Sequence, residues 1–389
     1  MSRNEWSTPK TEVFERIHEA LDGADDAVLA TVVDVEGSAY RRPGAKMLLW
    51  PSGGGVGSIT AGCLEDEVRA LATDVLERGE PRIESWDLTG DDDVWGLGVG
   101  CNGVITVLLE PLGETYRPVV DAYRAGDPIG VVTRLGGERD AAATAAVGQR
   151  AHYRPDSGFV TDGSDIPEAA LEALSDRAAR LVADGGSETL RVDLPEGSIE
   201  VFVDGVRPPP ELVAFGSGHD LAPLVELAKR VDFRVTVVPF RGGRADSGDF
   251  SAADEVVTAS PRDVAELREW TADTYAVVAT HNFVDDRITV EQLLETPVEY
   301  IGVMGPRKRF AEMCEDFEDE GRPISDSERE RIYTPVGLDL GGDAPYQIAF
   351  SVVAEALAVA NNRTPQHLSE RSGPIHERTD LPGKETDDR

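Results

Sequence analysis

Lysine is nearly absent, with five residues in 389 (Lys10, Lys46, Lys229, Lys308 and Lys384); arginine supplies the rest of the 38 basic side chains. Against them stand 73 Asp and Glu, spread along the chain, for a formal net charge of -35. Such an excess of acid excludes nucleic acid and anionic membrane surfaces as partners, because a polyanion is repelled at every approach. It implies a strongly hydrated, salt-adapted surface, and a halophilic, cytoplasmic protein is the expectation. Cysteine is equally scarce. Cys63, Cys101 and Cys314 form no disulfide framework and no Cys-x-x-Cys, which points to a reducing compartment. The six histidines never pair at ligand spacing, so no structural zinc site is expected. The N-terminal residues carry no apolar signal core. The most apolar late stretch, Ile348 to Ala360, is broken by Glu355 and too short to span a bilayer.

What is present is a globular chain, 40% hydrophobic and long enough for two or three domains. Helical spacing runs from Thr11 to Leu21 and from Leu64 to about Gly79, with strands expected at Ala27 to Val35, Lys46 to Trp50 and Val104 to Glu110. These make an N-terminal domain over residues 1–115, α+β or open α/β. Residues 116–206 read as a loop-rich intermediate region. It has a strand at Pro128 to Leu135, a helix at Pro167 to Ala183 and a hairpin pairing Thr189 to Val192 with Ile199 to Val203, around a polar insertion from Gly136 to Asp165. Pro208-Pro209-Pro210 is a stiff boundary. Beyond it, strands at Leu212 to Phe215, Phe233 to Val238, Glu255 to Val257, Tyr275 to Thr280 and Val298 to Val303 alternate with helices, ending in a helix from Pro345 to Asn361. That alternation predicts a Rossmann-like, doubly wound parallel sheet over residues 207–362. Residues 363–389 have the composition of a disordered tail.

Two glycine-rich turns carry cysteine: Gly57 to Glu65 around Cys63, and Gly98 to Gly103 around Cys101. The first opens a helix, so amide N–H groups and a positive helix end are expected near the Cys63 thiol. Packing is the alternative reading for each cysteine, and the one that fits Cys314, inside a helical run. After Leu212 to Phe215 comes Gly216-Ser217-Gly218-His219, where a phosphate-binding loop belongs. Leu221 fills the third small position, and Val237-Val238-Pro239-Phe240-Arg241 offers no acid for a ribose, which speaks against NAD. Arg241 and Arg244 leave NADP open. Thr280-His281-Asn282 and Gly305-Pro306-Arg307-Lys308-Arg309 follow the fourth and fifth strands, so His219, His281, Arg307 and Lys308 are expected at one crevice. In so acidic a chain, Arg41, Arg42 and Lys46 suggest an anion site, most simply for phosphate; neutralisation of neighbouring carboxylates is the alternative. The run Asp87, Asp91, Asp92, Asp93 reads as a solvated loop.

Glu36 to Met47 and Gly57 to Glu65 resemble the paired N-terminal signatures of the XdhC/CoxI family, the xanthine dehydrogenase accessory proteins, and Gly96 to Gly103 resembles its glycine-cysteine turn. Phe215 to His219, Thr280-His281, Tyr300 to Lys308 and Pro335 to Gly341 are similar to its later blocks, in the same order. The departures are Leu221, in place of the usual alanine, and Pro239-Phe240-Arg241, where Asp-Pro-Arg is common. The resemblance implies a maturation factor, a chaperone that binds the molybdenum cofactor (molybdopterin) transiently. It would protect the cofactor while a terminal sulfur ligand is installed and deliver it to an apo molybdenum hydroxylase of the xanthine or carbon monoxide dehydrogenase type. A cysteine desulfurase is a further partner so implied, and a homodimer the implied assembly. Cys63, with Cys101, would then lie at the molybdenum end, Cys63 as a contact to the metal through the cofactor, and Arg41, Arg42, Gly216 and Gly218 at the phosphate end. The alternatives are an NADP-dependent oxidoreductase with His281 as acid/base, and an adaptor whose sheet has lost its ligand.

Overall fold

The computed structural model describes residues 7–23, 26–88, 103–137, 147–160, 163–195, 197–240 and 250–372. The chain divides into two compact units, Met1–Pro209 and Pro210–Arg389.

In the first unit, α1 (Lys10–Asp22) precedes β1 (Val28–Gly37), β2 (Lys46–Leu49), β3 (Gly55–Gly57), α2 (Glu65–Arg78), β4 (Arg82–Asp87) and β5 (Gly103–Pro111). These strands form one antiparallel sheet in the order β3-β2-β1-β5-β4. There follow α3 (Arg117–Ala125), β6 (Ile129–Gly137), β7 (Arg150–Arg154), β8 (Gly158–Val160), α4 (Glu168–Asp184), β9 (Ser187–Leu194) and β10 (Gly197–Val206). They supply a second antiparallel sheet, β8-β7-β6-β10-β9. Alternation along β1 explains the layering: Val28, Ala30 and Val32 pack under α2 with Val68, Ala72 and Val75, while Leu29 and Val33 turn to the other sheet. There they meet Ile129, Val131, Leu135, Phe202 and Val206. The opposite face of β6 and β10, through Val132, Val201 and Val203, is covered by α4. The unit is therefore α+β, two sheets back to back with a helix on each outer face.

Residues 116–206, expected to be loop-rich, thus carry a full five-stranded sheet. The polar stretch from Gly136 to Asp165 contains β7 and β8. Arg150-Ala151-His152-Tyr153-Arg154 buries only Ala151 and Tyr153 of its five residues, and β8 is a three-residue edge, so neither presents an apolar run.

The second unit alternates: β11 (Glu211–Phe215), α5 (Leu221–Arg230), β12 (Arg234–Val238), β13 (Glu255–Val256), β14 (Thr274–Val278), α6 (Phe283–Leu294), β15 (Tyr300–Val303), α7 (Arg307–Asp319), α8 (Asp326–Glu330), β16 (Ile332–Tyr333) and α9 (Pro345–Ala360). Every strand pair is parallel, in the order β13-β12-β11-β14-β15-β16. This is the doubly wound order 3-2-1-4-5-6. The central strands are buried on both sides. Leu212, Ala214, Val235, Val237 and Val277 pack with α5 and α9, and Val213, Phe215, Val238, Ala276 and Val278 with α6 and α7. The sixth strand has no counterpart in the sequence pattern, because two half-buried residues make no period. Glu355, the acid that interrupts α9, serves the fold, since its Oε2 accepts from Tyr300 Oη and from the Gly337 amide, each at 2.9 Å. Burial, then the Glu355 carboxylate, holds the Tyr300 phenol well above its ordinary pKa.

Among the described residues no helix is long and apolar enough to cross a membrane, and no group of three or more His, Cys, Asp and Glu could hold a metal ion. The tail beyond residue 372, Cys101, Arg241, Arg244, and Asp91, Asp92 and Asp93 lie outside the described residues; Asp87 ends β4.

Candidate functional site

In the first unit, three motifs meet at one end of one sheet. Gly37, at the end of β1, pairs with Gly103, at the start of β5, and Met47 of β2 pairs with Gly57 of β3. The turn from Ser38 to Ala45 and the turn from Ser58 to Leu64 therefore leave the same sheet end. Ala39, Ala45 and Cys63 all pack against one hydrophobic cluster that includes Val32, Met47, Ile59 and Leu64. Arg41, half-buried, and Arg42, exposed, lie between those two alanines. Cys63 is a free, half-buried thiol. Beside it, Gly62 is exposed at φ +115, and a Cβ there would meet none of the described residues within 4 Å.

The electrostatics around Cys63 differ from the expectation. Thr60 Oγ1 accepts from the Gly62 amide at 3.3 Å, and buried Glu65 accepts from the Leu64 amide at 3.1 Å and from Thr60 Oγ1 at 2.8 Å. The amides flanking the sulfur are thus satisfied internally. The first turn of α2 also carries Glu65, Asp66 and Glu67, which offset the helix dipole. The positive charge of this sheet end is therefore that of the Arg41 and Arg42 guanidinium groups, not of free amides.

Lys46 is not an anion ligand. It is 7% exposed, its Nζ lies 2.5 Å from Asp204 Oδ2 on the facing sheet, and it also donates to Gly44 O at 3.1 Å. Asp204 Oδ1 accepts from Ser187 Oγ at 2.6 Å. Burial pulls the Lys46 pKa down and pushes the Asp204 pKa up, yet their mutual attraction prevails: Lys46 sits above its ordinary value and Asp204 below. Neutralisation of a carboxylate, the alternative reading of this lysine, is what the fold uses, in the interior and not on the surface. The pair anchors the base of the Arg41–Arg42 turn. Near it, Arg150 and Glu110 form a second buried ion pair, and burial pushes the Tyr116 phenol up to about 12.

In the second unit, the strand order reverses between β11 and β14, and the loops leaving these two strands flank that switch point. Gly216 opens the first loop at φ +144, and a Cβ there would lie 2.5 Å from Ala279 O and 3.0 Å from its carbonyl carbon. Only glycine lets the two loops approach this closely. Gly216→Ala is expected to cost about 1–3 kcal/mol from backbone strain, before the clash with Ala279 is added. A thermal melt unchanged by this substitution would contradict the geometry. His281 stands on the second loop at φ 59, uncommon for a non-glycine residue, and its Nε2 lies 3.0 Å from Asp220 Oδ2. Gly216, Gly218 and His281 are therefore brought together. His219 lies on the first loop, next to Asp220.

Beneath His281, Asp286 is 1% exposed and accepts from the Thr280 amide at 3.1 Å and from Thr280 Oγ1 at 2.5 Å, and it pairs with Arg309. Asn282 caps α6 through the amides of Val284 and Asp285 at 3.0 and 3.2 Å. Of the cationic cluster at the start of α7, Arg309 is thus committed to structure, Arg307 is exposed, and Lys308 lies 3.5 Å from Glu312 on the same helix. Asp220 and Asp286 belong to the second site although no sequence motif includes them, whereas Thr60, Glu65 and Thr280 lie inside the quoted motifs without a role being read for them there. The one signal that Asp220 and Asp286 give is acid placed at or just inside a helix start.

A model of the XdhC Rossmann domain matches residues 212–356, and one of the XdhC and CoxI family matches residues 20–87. A Bacillus subtilis (strain 168) protein, named as a probable xanthine dehydrogenase subunit, is 30% identical over 345 residues, spanning 87% of this chain and 94% of the relative. The chain belongs to the XdhC/CoxI family. The molybdenum cofactor insertion chaperone PaoD of Escherichia coli (strain K12) is 28% identical over 116 residues, 29% of this chain and 36% of PaoD. The crystal structure of a protein described as a xanthine dehydrogenase from Bacillus halodurans shares the fold, with a TM-score of 0.72 at 29% identity over 92% of this chain and 97% of that one. The family matches take in Arg41, Arg42 and Cys63 on the first unit and Gly216, Gly218, His219, His281, Arg307 and Lys308 on the second; residue 101 falls outside both.

Proposed function

We propose that this XdhC/CoxI protein is a maturation factor that binds the molybdenum cofactor as cargo and delivers it to a molybdenum hydroxylase of the xanthine dehydrogenase or carbon monoxide dehydrogenase type. The observation that carries the reading is the convergence of the Arg41–Arg42 turn and the Cys63 turn on one hydrophobic cluster at one end of a sheet. A polarizable sulfur donor suits a soft metal centre, and guanidinium groups suit a phosphate. The exposed Gly62 beside Cys63 leaves that side of the turn accessible among the described residues. Membership of a family that includes relatives named for xanthine dehydrogenase and for cofactor insertion supports the same reading. Cys63 is its metal-proximal donor, and Arg41 and Arg42 hold the phosphate-bearing end.

The test is co-purification. Protein made in a strain that synthesises molybdopterin is expected to retain the cofactor, detected by fluorescence after oxidation, and protein from a strain that cannot make it to be empty. Cys63→Ser is expected to cut retention at least about tenfold with an unchanged melting temperature, because the side chain is only half-buried. Full retention by this variant would reduce Cys63 to a packing residue. The doubly wound topology of the second unit favours NADP as the second reading, and micromolar binding of NADPH in place of the pterin would support it.

A further inference from the structure

The switch-point crevice carries an acid that its topology does not require. Asp220 directly follows Gly-Ser-Gly-His at the start of α5, where a dinucleotide-binding loop turns its N–H groups toward a diphosphate. Its Oδ2 is engaged with His281 Nε2 at 3.0 Å, and among the described residues no donor meets Oδ1. That oxygen lies over the loop, only 2.2 Å from where a Cβ on Gly218 would stand, and the Asp220 side chain is 31% exposed. A carboxylate in this position repels phosphate from the helix end that would otherwise attract it. It can also accept N–H groups, since each oxygen offers two lone pairs and His281 uses one. An ionised carboxylate only accepts, so the Asp220 contact takes its hydrogen from His281 Nε2. The left-handed backbone of His281, braced from below by Thr280 and Asp286, holds the ring in that relation to Asp220.

We propose that the Asp220–His281 pair makes this crevice a reader of adjacent N–H donors, the 2-aminopyrimidin-4-one edge that pterins share with guanine, and that the pterin is its occupant. This rests on the maturation reading above. On the second unit taken by itself, it gives Gly216, Gly218 and His281 a ring edge to hold in place of a phosphate. Asp220 is then the specificity-determining residue of the second unit, accepting from the ring N–H and the exocyclic amino group.

The experiment titrates the full chain with four probes: pterin; lumazine, which has an oxo group in place of the 2-amino donor; guanosine; and ADP. Intrinsic fluorescence or calorimetry reads binding. Pterin is expected to bind at least about tenfold more tightly than lumazine, the discrimination typical of a bidentate hydrogen-bonded edge, and more tightly than guanosine or ADP. Asp220→Asn, nearly isosteric, is expected to lose about tenfold for pterin and to bring the pterin-to-lumazine ratio close to one. Equal binding of pterin and lumazine by the unaltered chain overturns the proposal without recourse to any variant. So does unchanged pterin binding by Asp220→Asn, or tighter binding of guanosine or ADP than of pterin. If the cofactor co-purifies but pterin and lumazine bind alike, this inference fails and the maturation reading stands. If pterin is selected but no cofactor co-purifies, the reverse holds.

Discussion

Asp204→Ala is expected to destabilise the first unit by about 3–5 kcal/mol, because it strands the Lys46 ammonium in a buried seam with no carboxylate partner. For a unit of this size each kcal/mol corresponds to about 2–4 °C, so calorimetry should show a fall of about 6–20 °C in its transition. Joint replacement, Lys46→Met with Asp204→Leu, is expected to recover most of the loss, since a buried pair exchanged for apolar groups of similar volume is often neutral. A drop below about 2 °C for the single variant would show that water reaches the pair. The pH dependence has a definite sign on each side. Asp204 has its carboxyl below the ordinary value, so its contribution is complete above the unfolded pKa of about 3.9 and vanishes as pH falls through the folded one. Lys46 lies above its ordinary value, so its contribution is complete below about 10.4 and vanishes as pH rises through the folded one. The double variant should show neither limb.

Asp286→Ala is the second large effect, and it reaches the crevice. The substitution leaves the Arg309 guanidinium without its buried acceptor, removes the acceptor of the Thr280 amide, and leaves the Thr280 hydroxyl only the Asn282 carbonyl at 3.2 Å. We expect a loss of about 3 kcal/mol in the second unit. Pterin binding should fall at least about tenfold, because His281 keeps its left-handed backbone only while the residue before it is held. Asp286→Asn retains one acceptor oxygen and should fall between the two. Binding preserved in Asp286→Ala, beside a lowered melting transition, would show that the loop keeps its shape without this carboxylate.

Where both faces of a strand are buried, the sequence is plain. Leu212 to Phe215 and Tyr275 to Val278 are short apolar runs, and a parallel sheet covers them on both sides. Short strands at or beside a sheet edge, such as β8 and β7, bury few residues in succession, show no apolar run and so resemble loops. The site is legible where backbone conformation demands a residue type, as at Gly216, and illegible where the partner is remote. Lys46 has the sequence context of an anion ligand because Asp204 lies 158 residues further along. Asp220 has that of an ordinary surface acid because His281 is 61 residues away. The field at Cys63 departs from the helix-dipole expectation because Thr60 and Glu65 fold back onto their own turn, which spacing does not reveal.

Burial of Lys46 also limits what amine chemistry can report of this surface. Its amine is closed to acylating reagents, and Lys229 is largely covered, with 28% of its side chain exposed. Lys308 is 87% exposed at the start of α7, the helix that follows β15 out of the parallel sheet. Lys10, at the start of α1, is exposed as well. Amine-directed footprinting would therefore report on these two helix starts and little else among the described residues, and cross-linking through carboxylates is the chemistry that would map the remainder.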